Sequence, residues 1–196
     1  MELYKIRVEN DPVLRRKCRK VDKVDNKVRD ILDRMLETMY AANGIGLAAP
    51  QVGLSRRLVV MDLSEKRNEP IKIVNPKVTF LSDEEELGTE GCLSFPGKEG
   101  EVWRCTKVRL TGLNEEGQEV EYEAEGLFAR CIQHECDHLD GKLYVDVAED
   151  LRPVDRDKAE DTVACAESAQ AEGDGVKEEV APEASVPDKS QAELAE

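Results

Sequence analysis

The sequence predicts an α+β fold built on one principal domain, and three observations carry that reading. An amphipathic helix stands early in the 196 residues. Short alternating segments fill the middle. A second, more apolar helix comes late and carries His134-Glu135-Cys136-Asp137-His138.

In chain order, Tyr4-Lys5-Ile6-Arg7-Val8 alternates weakly and reads as a strand or an extended arm, and Asn10-Asp11-Pro12 as a turn. Asp25 caps a helix whose apolar residues are Val28, Ile31, Leu32, Met35, Leu36, Met39 and Tyr40. They recur every three or four positions and form one stripe, and Asn43-Gly44 ends the helix. Residues 44–53 are small and uncharged, and read equally as a tight connection or as a loop that lets a ligand approach the backbone. Residues 57–63 and 71–78 read as strands around a charged loop, and 82–86 as an acidic solvated loop. Residues 101–113 and 118–124 read as a hairpin around Asn114-Glu115-Glu116-Gly117. The late helix covers about 125–140 and stops at Gly141, and 142–147 reads as a last short strand.

From about residue 148 acidic side chains become frequent, and a helix from 153 toward 171 fits the pattern. Beyond Gly173 the chain is mostly Ala, Glu, Pro, Ser and Val, and no aromatic residue follows Tyr144. Such a segment cannot bury enough apolar surface to order itself. The expectation is a domain over 1–150 and an acidic extension over 151–196, helical at its start and then disordered.

Net charge is −15, from 43 acidic and 28 basic residues. Residues 155–196 hold 13 acidic and 4 basic residues, a net of −9, which leaves −6 for the rest. The balance argues against nonspecific nucleic-acid binding and against docking on anionic membranes. No apolar run follows a basic N-terminal region and no stretch approaches 18 apolar residues, so neither a secretory signal nor a membrane span is expected. The six cysteines are irregularly spaced. Reduced thiols in a cytoplasmic protein are expected rather than a disulfide framework.

His134 and His138 are the only histidines in the chain. On a helix, positions i and i+4 share a face, as do Leu127, Cys131 and Glu135. Two imidazoles so placed can bind one divalent metal, with the adjacent glutamate as general base. The plainer reading, two satisfied core histidines beside a surface glutamate, is disfavoured because both scarce histidines fall on this one motif. Cys92, in Glu90-Gly91-Cys92-Leu93-Ser94, is either a small buried residue or the thiolate that a two-histidine site lacks.

Stretches 44–53, 90–97 and 133–141 together resemble the peptide deformylase family, metal hydrolases that remove the formyl group from the initiator methionine of new bacterial polypeptides. The family signatures are a Gly-x-Gly-x-Ala-Ala-x-Gln loop, a Glu-Gly-Cys-Leu-Ser turn and a Gln-His-Glu-x-Asp-His helix. All three occur here unsubstituted and in the family's order, within a similarity running from about Tyr4 to Asp150.

The resemblance implies antiparallel β-sheets wrapped around a central helix that carries the His-Glu-x-x-His motif. It implies one divalent metal per chain on Cys92, His134 and His138, usually Fe2+, with Zn2+, Ni2+ or Co2+ able to use the same ligands. Such a ferrous thiolate would be oxygen-sensitive. Glu135 would move the proton, and the Gln51 amide and the Leu93 backbone N–H would meet the oxyanion. The substrate would be an N-formyl-methionyl nascent polypeptide lying extended beside Gly46, with Ile45, Leu127 and Cys131 as candidates to line the methionine pocket. Glu90 and Asp137, with Arg104, would orient ligands or else form ordinary surface salt bridges. Family members often end in a basic helix thought to aid docking near the ribosomal exit tunnel. The acidic extension departs from that pattern, so docking at the ribosome would not run through a basic tail.

A metallopeptidase would share the late helix but would usually take its third ligand from a downstream His or Glu, and no third histidine exists. A closed structural metal site would need a fourth protein ligand. A degenerate relative should have lost Glu135 or Gln51, and both are present.

Overall fold

A computed structural model describes residues 2–154. Asp25 accepts a hydrogen bond from the Val28 N–H at 3.0 Å and starts helix α1 (Asn26–Ala41). The stripe Val28, Leu32, Met35, Leu36 and Met39 is buried, while Ile31 and Tyr40 lie at its margins. The helix ends where Asn43 turns left-handed at φ 56° and the Gly44 N–H reaches the Met39 carbonyl at 2.9 Å.

The strands are β1 (Gly46–Ala48), β2 (Leu58–Met61), β3 (Ile71–Phe80), β4 (Glu85–Gly91), β5 (Lys98–Cys105), β6 (Lys107–Leu113), β7 (Glu119–Glu125) and β8 (Arg152–Pro153). Helix α2 (Gly126–Leu139) follows β7. A five-stranded sheet runs β1-β2-β3-β6-β7 and a three-stranded sheet β4-β5-β8, antiparallel throughout.

Strand β2 explains the layering. Leu58-Val59-Val60-Met61 has no polar residue and is wholly buried, the mark of a strand covered on both faces. Leu58 and Val60 pack with α1, and Val59 and Met61 with α2. On the other side of α2, Gln133 hydrogen-bonds the backbone of Cys105 at the end of β5. The metal-motif helix therefore lies between the two sheets, which is the α+β arrangement the sequence predicts.

Local departures have physical reasons. Residues 101–113 are two strands rather than one, because the chain leaves the small sheet at Cys105 and enters the large one at Lys107. Arg104 and Thr106 interrupt the apolar phase of Val102, Val108 and Leu110 at that switch, but a polar pair within a strand-like run does not by itself mark a change of sheet. Glu85 and Glu86 open β4, an edge strand where charge is tolerated. Residues 44–53 hold β1 and a 3-10 turn, Ala49–Val52, rather than an open loop. Residues 142–147 contain a 3-10 turn, Tyr144–Asp146, in which Asp146 accepts from the Leu143 N–H at 3.0 Å. The N-terminal arm is extended and tied by the Arg7 N–H to the Gln51 carbonyl at 2.7 Å. Arg152 and Pro153, where a helix could begin, form β8 instead. The remainder of that helix and the acidic extension lie outside the described residues. The five cysteines among the described residues are free. No helix among them is long and apolar enough to cross a membrane.

Candidate metal centre and active site

Helical spacing brings His134 and His138 to one face of α2, with ring centroids 4.9 Å apart. Cys92, just past β4, places its Sγ 3.3 Å from His138 Nε2. The ligand atoms of Cys92, His134 and His138 all lie within 4.8 Å of one another. A tetrahedral ion bound at about 2.0–2.3 Å needs ligand atoms roughly 3.3–3.8 Å apart, so small side-chain adjustments close the set. One thiolate and two imidazoles suit a divalent transition ion. Glu135 Oε2 is buried without a hydrogen-bond partner among the described residues, as expected of a polar group that meets a ligand or water.

His138 is held well below its ordinary pKa by burial and by the neighbouring His134 and Arg104, which keeps the ring neutral and able to bind metal. His134 is fixed through its other nitrogen, because Nδ1 lies 2.8 Å from Glu90 Oε2. That contact leaves Nε2 for an ion. Arg104 holds Glu90 in a fork at 2.7 and 3.0 Å, Arg130 adds a contact at 3.1 Å, and Arg104 also bonds Asp137 at 2.6 Å. Burial alone would raise the Glu90 pKa, but its bonds to His134 and Arg104 take it down to about 2. Glu90, Arg104 and Asp137 are thus a mostly buried network, not ordinary surface pairs.

Glu135 lies against Gly46. A Cβ at Gly46 would collide with the Glu135 carboxylate and come within 2.9 Å of Cys131 Sγ, so any side chain here would displace Glu135 from its place. Burial pushes the Glu135 carboxyl up to about 7, with the His134 charge opposing and Glu90 adding to the shift. Gln51 is oriented by its own turn. Its Oε1 accepts from the Ala48 N–H at 2.8 Å, and its Nε2 faces Cys92 Sγ at 3.4 Å and Ser94 Oγ at 3.3 Å.

A cavity of about 430 Å³ opens over these groups, and its walls include Ile45, Gly46, Leu93, Leu127 and Cys131. Cys131 is buried, whereas Ile45 and Leu127 are exposed and form the rim. Arg130 went unnoticed in the sequence. It donates to the carbonyls of Glu86, Gly88 and Val102, which ties β4 and β5 to α2. The signal in the sequence is a lone arginine, four positions before His134, in a helix with no other Lys or Arg.

A family profile described as polypeptide deformylase matches residues 3–154. The chain belongs to the polypeptide deformylase family. A peptide deformylase of Natranaerobius thermophilus is 49% identical over 151 residues, covering 77% of this chain and 96% of that one. One from Agathobacter rectalis is 53% identical over 149 residues, covering 76% and 92%. Among solved structures, the Thermotoga maritima peptide deformylase superposes with a TM-score of 0.73 at 43% identity, covering 76% of this chain and all of that one. The Synechococcus elongatus enzyme in complex with actinonin superposes at 0.71 with 42% identity, covering 75% and 79%. As a deformylase, the chain is a metal-dependent hydrolase that removes the N-formyl group from newly synthesised polypeptides.

Proposed function

We propose that Cys92, His134 and His138 hold one ferrous ion per chain, and that Glu135, Gln51 and the Leu93 N–H carry the reaction around it. When bound, the ion supplies Lewis acidity toward water and the formyl carbonyl. Glu135 accepts the proton of the attacking water and passes it to the leaving amine, so the C–N bond breaks to formate and a free N-terminus. The Gln51 amide and the Leu93 backbone N–H donate to the developing oxyanion. Gly46 lets an extended peptide lie close, and the methionine side chain enters past Ile45 and Leu127 onto Cys131. Glu90 positions His134. The observation that carries this reading is the convergence of Gln51, Cys92, His134, Glu135 and His138 beneath one cavity beside Gly46.

The substrates are nascent chains in the cytoplasm, reached without a basic tail. Residues 1–150 form the catalytic domain, and deletion of 155–196 leaves peptide turnover unchanged. Metal analysis of anaerobically purified protein tests the ion, with one iron per chain expected. A kinetic comparison of formyl-Met, acetyl-Met and formyl-Asp peptides tests specificity. A formyl carbon bears only hydrogen and fits against crowded ligands, whereas an acetyl methyl would displace the carbonyl, and about 1 Å can cost 10²-fold in rate. Comparable rates on all three would refute the pocket assignment.

A further inference from the structure

On α2 and its C-cap Asp140, the residues Gln133, Cys136, Asp137 and Asp140 lie about half a turn from Cys131, His134, Glu135 and His138. They face a second, larger cavity of about 960 Å³, bounded also by β3, β6, β7 and the segment before α1. That segment reads Arg15-Arg16-Lys17-Cys18-Arg19-Lys20, five cations in six residues of a chain with net charge −15. It is clamped at both ends and pinned in the middle. Arg15 pairs with Asp146, and Gly141 passes so close that a Cβ there would stand 2.5 Å from the Arg15 carbonyl oxygen. Buried Cys18 donates its N–H to the Leu139 carbonyl at 2.8 Å. Beyond the run, the Asn75 side chain exchanges two 2.8 Å hydrogen bonds with the Val21 backbone.

Lys72, Lys98, Lys107, Arg109 and Arg152 meet carboxylates, while other surface cations, such as Lys5, Lys23 and Lys66, have none among the described residues. Here Lys17, Lys20, Lys77 and Lys142 line the cavity, and none has a carboxylate within 4.0 Å among the described residues. Four carboxylates also line it. Asp137 is bound to Arg104, Asp140 to Arg57 and Glu121 to Arg109, which leaves Glu119 as the one without a cation among the described residues. Phe80, 65% exposed, lines the same cavity from the α2 side of the large sheet, whereas the Lys77 side chain, three positions earlier on β3, points to the other side. Unpaired lysines and an exposed aromatic ring lining one groove are the parts from which single-strand binding platforms are built. An acidic peptide would use the lysines but would have no need of the ring.

We propose that this groove binds single-stranded nucleic acid, with phosphates on Lys17, Lys20 and Lys142 and one base stacked on Phe80. Because it lies on the opposite face of α2 from the metal site, a strand held there leaves the substrate mouth open.

The test uses the full chain with fluorescein-labelled 12-mers of uridine or thymidine, read by anisotropy. Binding is expected to weaken about 20-fold between 50 and 200 mM salt, the fall for three single-strand phosphates neutralised. Lys17→Gln with Lys20→Gln should weaken it and flatten the salt slope, and Phe80→Ala should weaken it roughly 5- to 100-fold. Turnover of a formyl-Met peptide stays at the wild-type rate in each variant, which shows that they fold. A preference for uridine over thymidine 12-mers would mark RNA as the ligand, and equal binding would mark the strand itself; both support the proposal. It is overturned by no binding at 50 mM salt, by variants that bind like the wild type, by equal affinity for duplex, or by oligoglutamate of matched charge competing as well as the 12-mers.

Discussion

The two faces of α2 treat their polar groups in opposite ways. On the face away from the site, Gln133 satisfies its amide fully. It accepts from the Cys105 N–H at 3.2 Å and donates to the carbonyls of Cys105 at 2.9 Å and Ala129 at 3.0 Å. Asp137 ends on Arg104. On the other face, His134 Nδ1 is held by Glu90, but Glu135 Oε2 is buried and partnerless among the described residues. An unmet buried polar atom costs about 1–3 kcal/mol. A fold tolerates that where the atom serves something other than stability. One face holds the sheets together, and the other keeps its groups available.

The largest effect expected is loss of the ligands. Cys92→Ala or His134→Ala should abolish metal binding and, with it, turnover. Metal content per chain after dialysis checks this, and a full equivalent retained by either variant would remove that residue from the ligand set.

Glu135→Gln should keep the metal and lower kcat by roughly 10²–10⁴-fold, because the amide has the shape of the acid but cannot accept a proton. Near-wild-type turnover would take Glu135 out of the reaction.

The same carboxyl should mark the stability of the metal-free protein. Its folded pKa of about 7 lies above an unfolded value of about 4.3. A raised pKa means that the folded state holds the proton more tightly. The contribution is therefore fully present below about pH 4.3 and lost as pH rises through 7, on the order of 3 kcal/mol by pH 8. Urea melts at pH 5 and pH 8, with Glu135→Gln as the reference, isolate the effect. A wild type that loses no more stability than the variant would mean that the site hydrates Glu135.

Much of this site was legible because its residues are scarce or bound to a backbone need. Two histidines four apart, one cysteine between glycine and leucine, and Gly46 are local signals with chemical reasons behind them. Glu90 and Arg104 were legible only as candidates, because the bonds that bury them span 14 residues and join β4, β5 and α2. The break at Thr106 is marked in the sequence only by Arg104 and Thr106 falling in the apolar phase, and which sheet each half joins is set by partners far along the chain. The cationic run was obscured by the net charge. That balance argues against nucleic acid for the whole chain but averages over a surface of opposite sign.

The smallest effect on catalysis should come from the satisfied face. Gln133→Ala deprives both polar groups of the Cys105 backbone of their partner, next to the point where the chain crosses between sheets. Each buried orphan costs about 1–3 kcal/mol, and for a domain of this size each kcal/mol lowers Tm by roughly 2–4 °C. Because the side chain points away from the metal ligands, kcat on a formyl-Met peptide should hold near the wild-type value at a temperature where the variant is folded. Thermal melts and steady-state kinetics on one preparation give both numbers. A variant that melts normally but turns over slowly would show that Gln133 acts through its neighbour His134, and the division of α2 into a structural and a chemical face would fail at that residue.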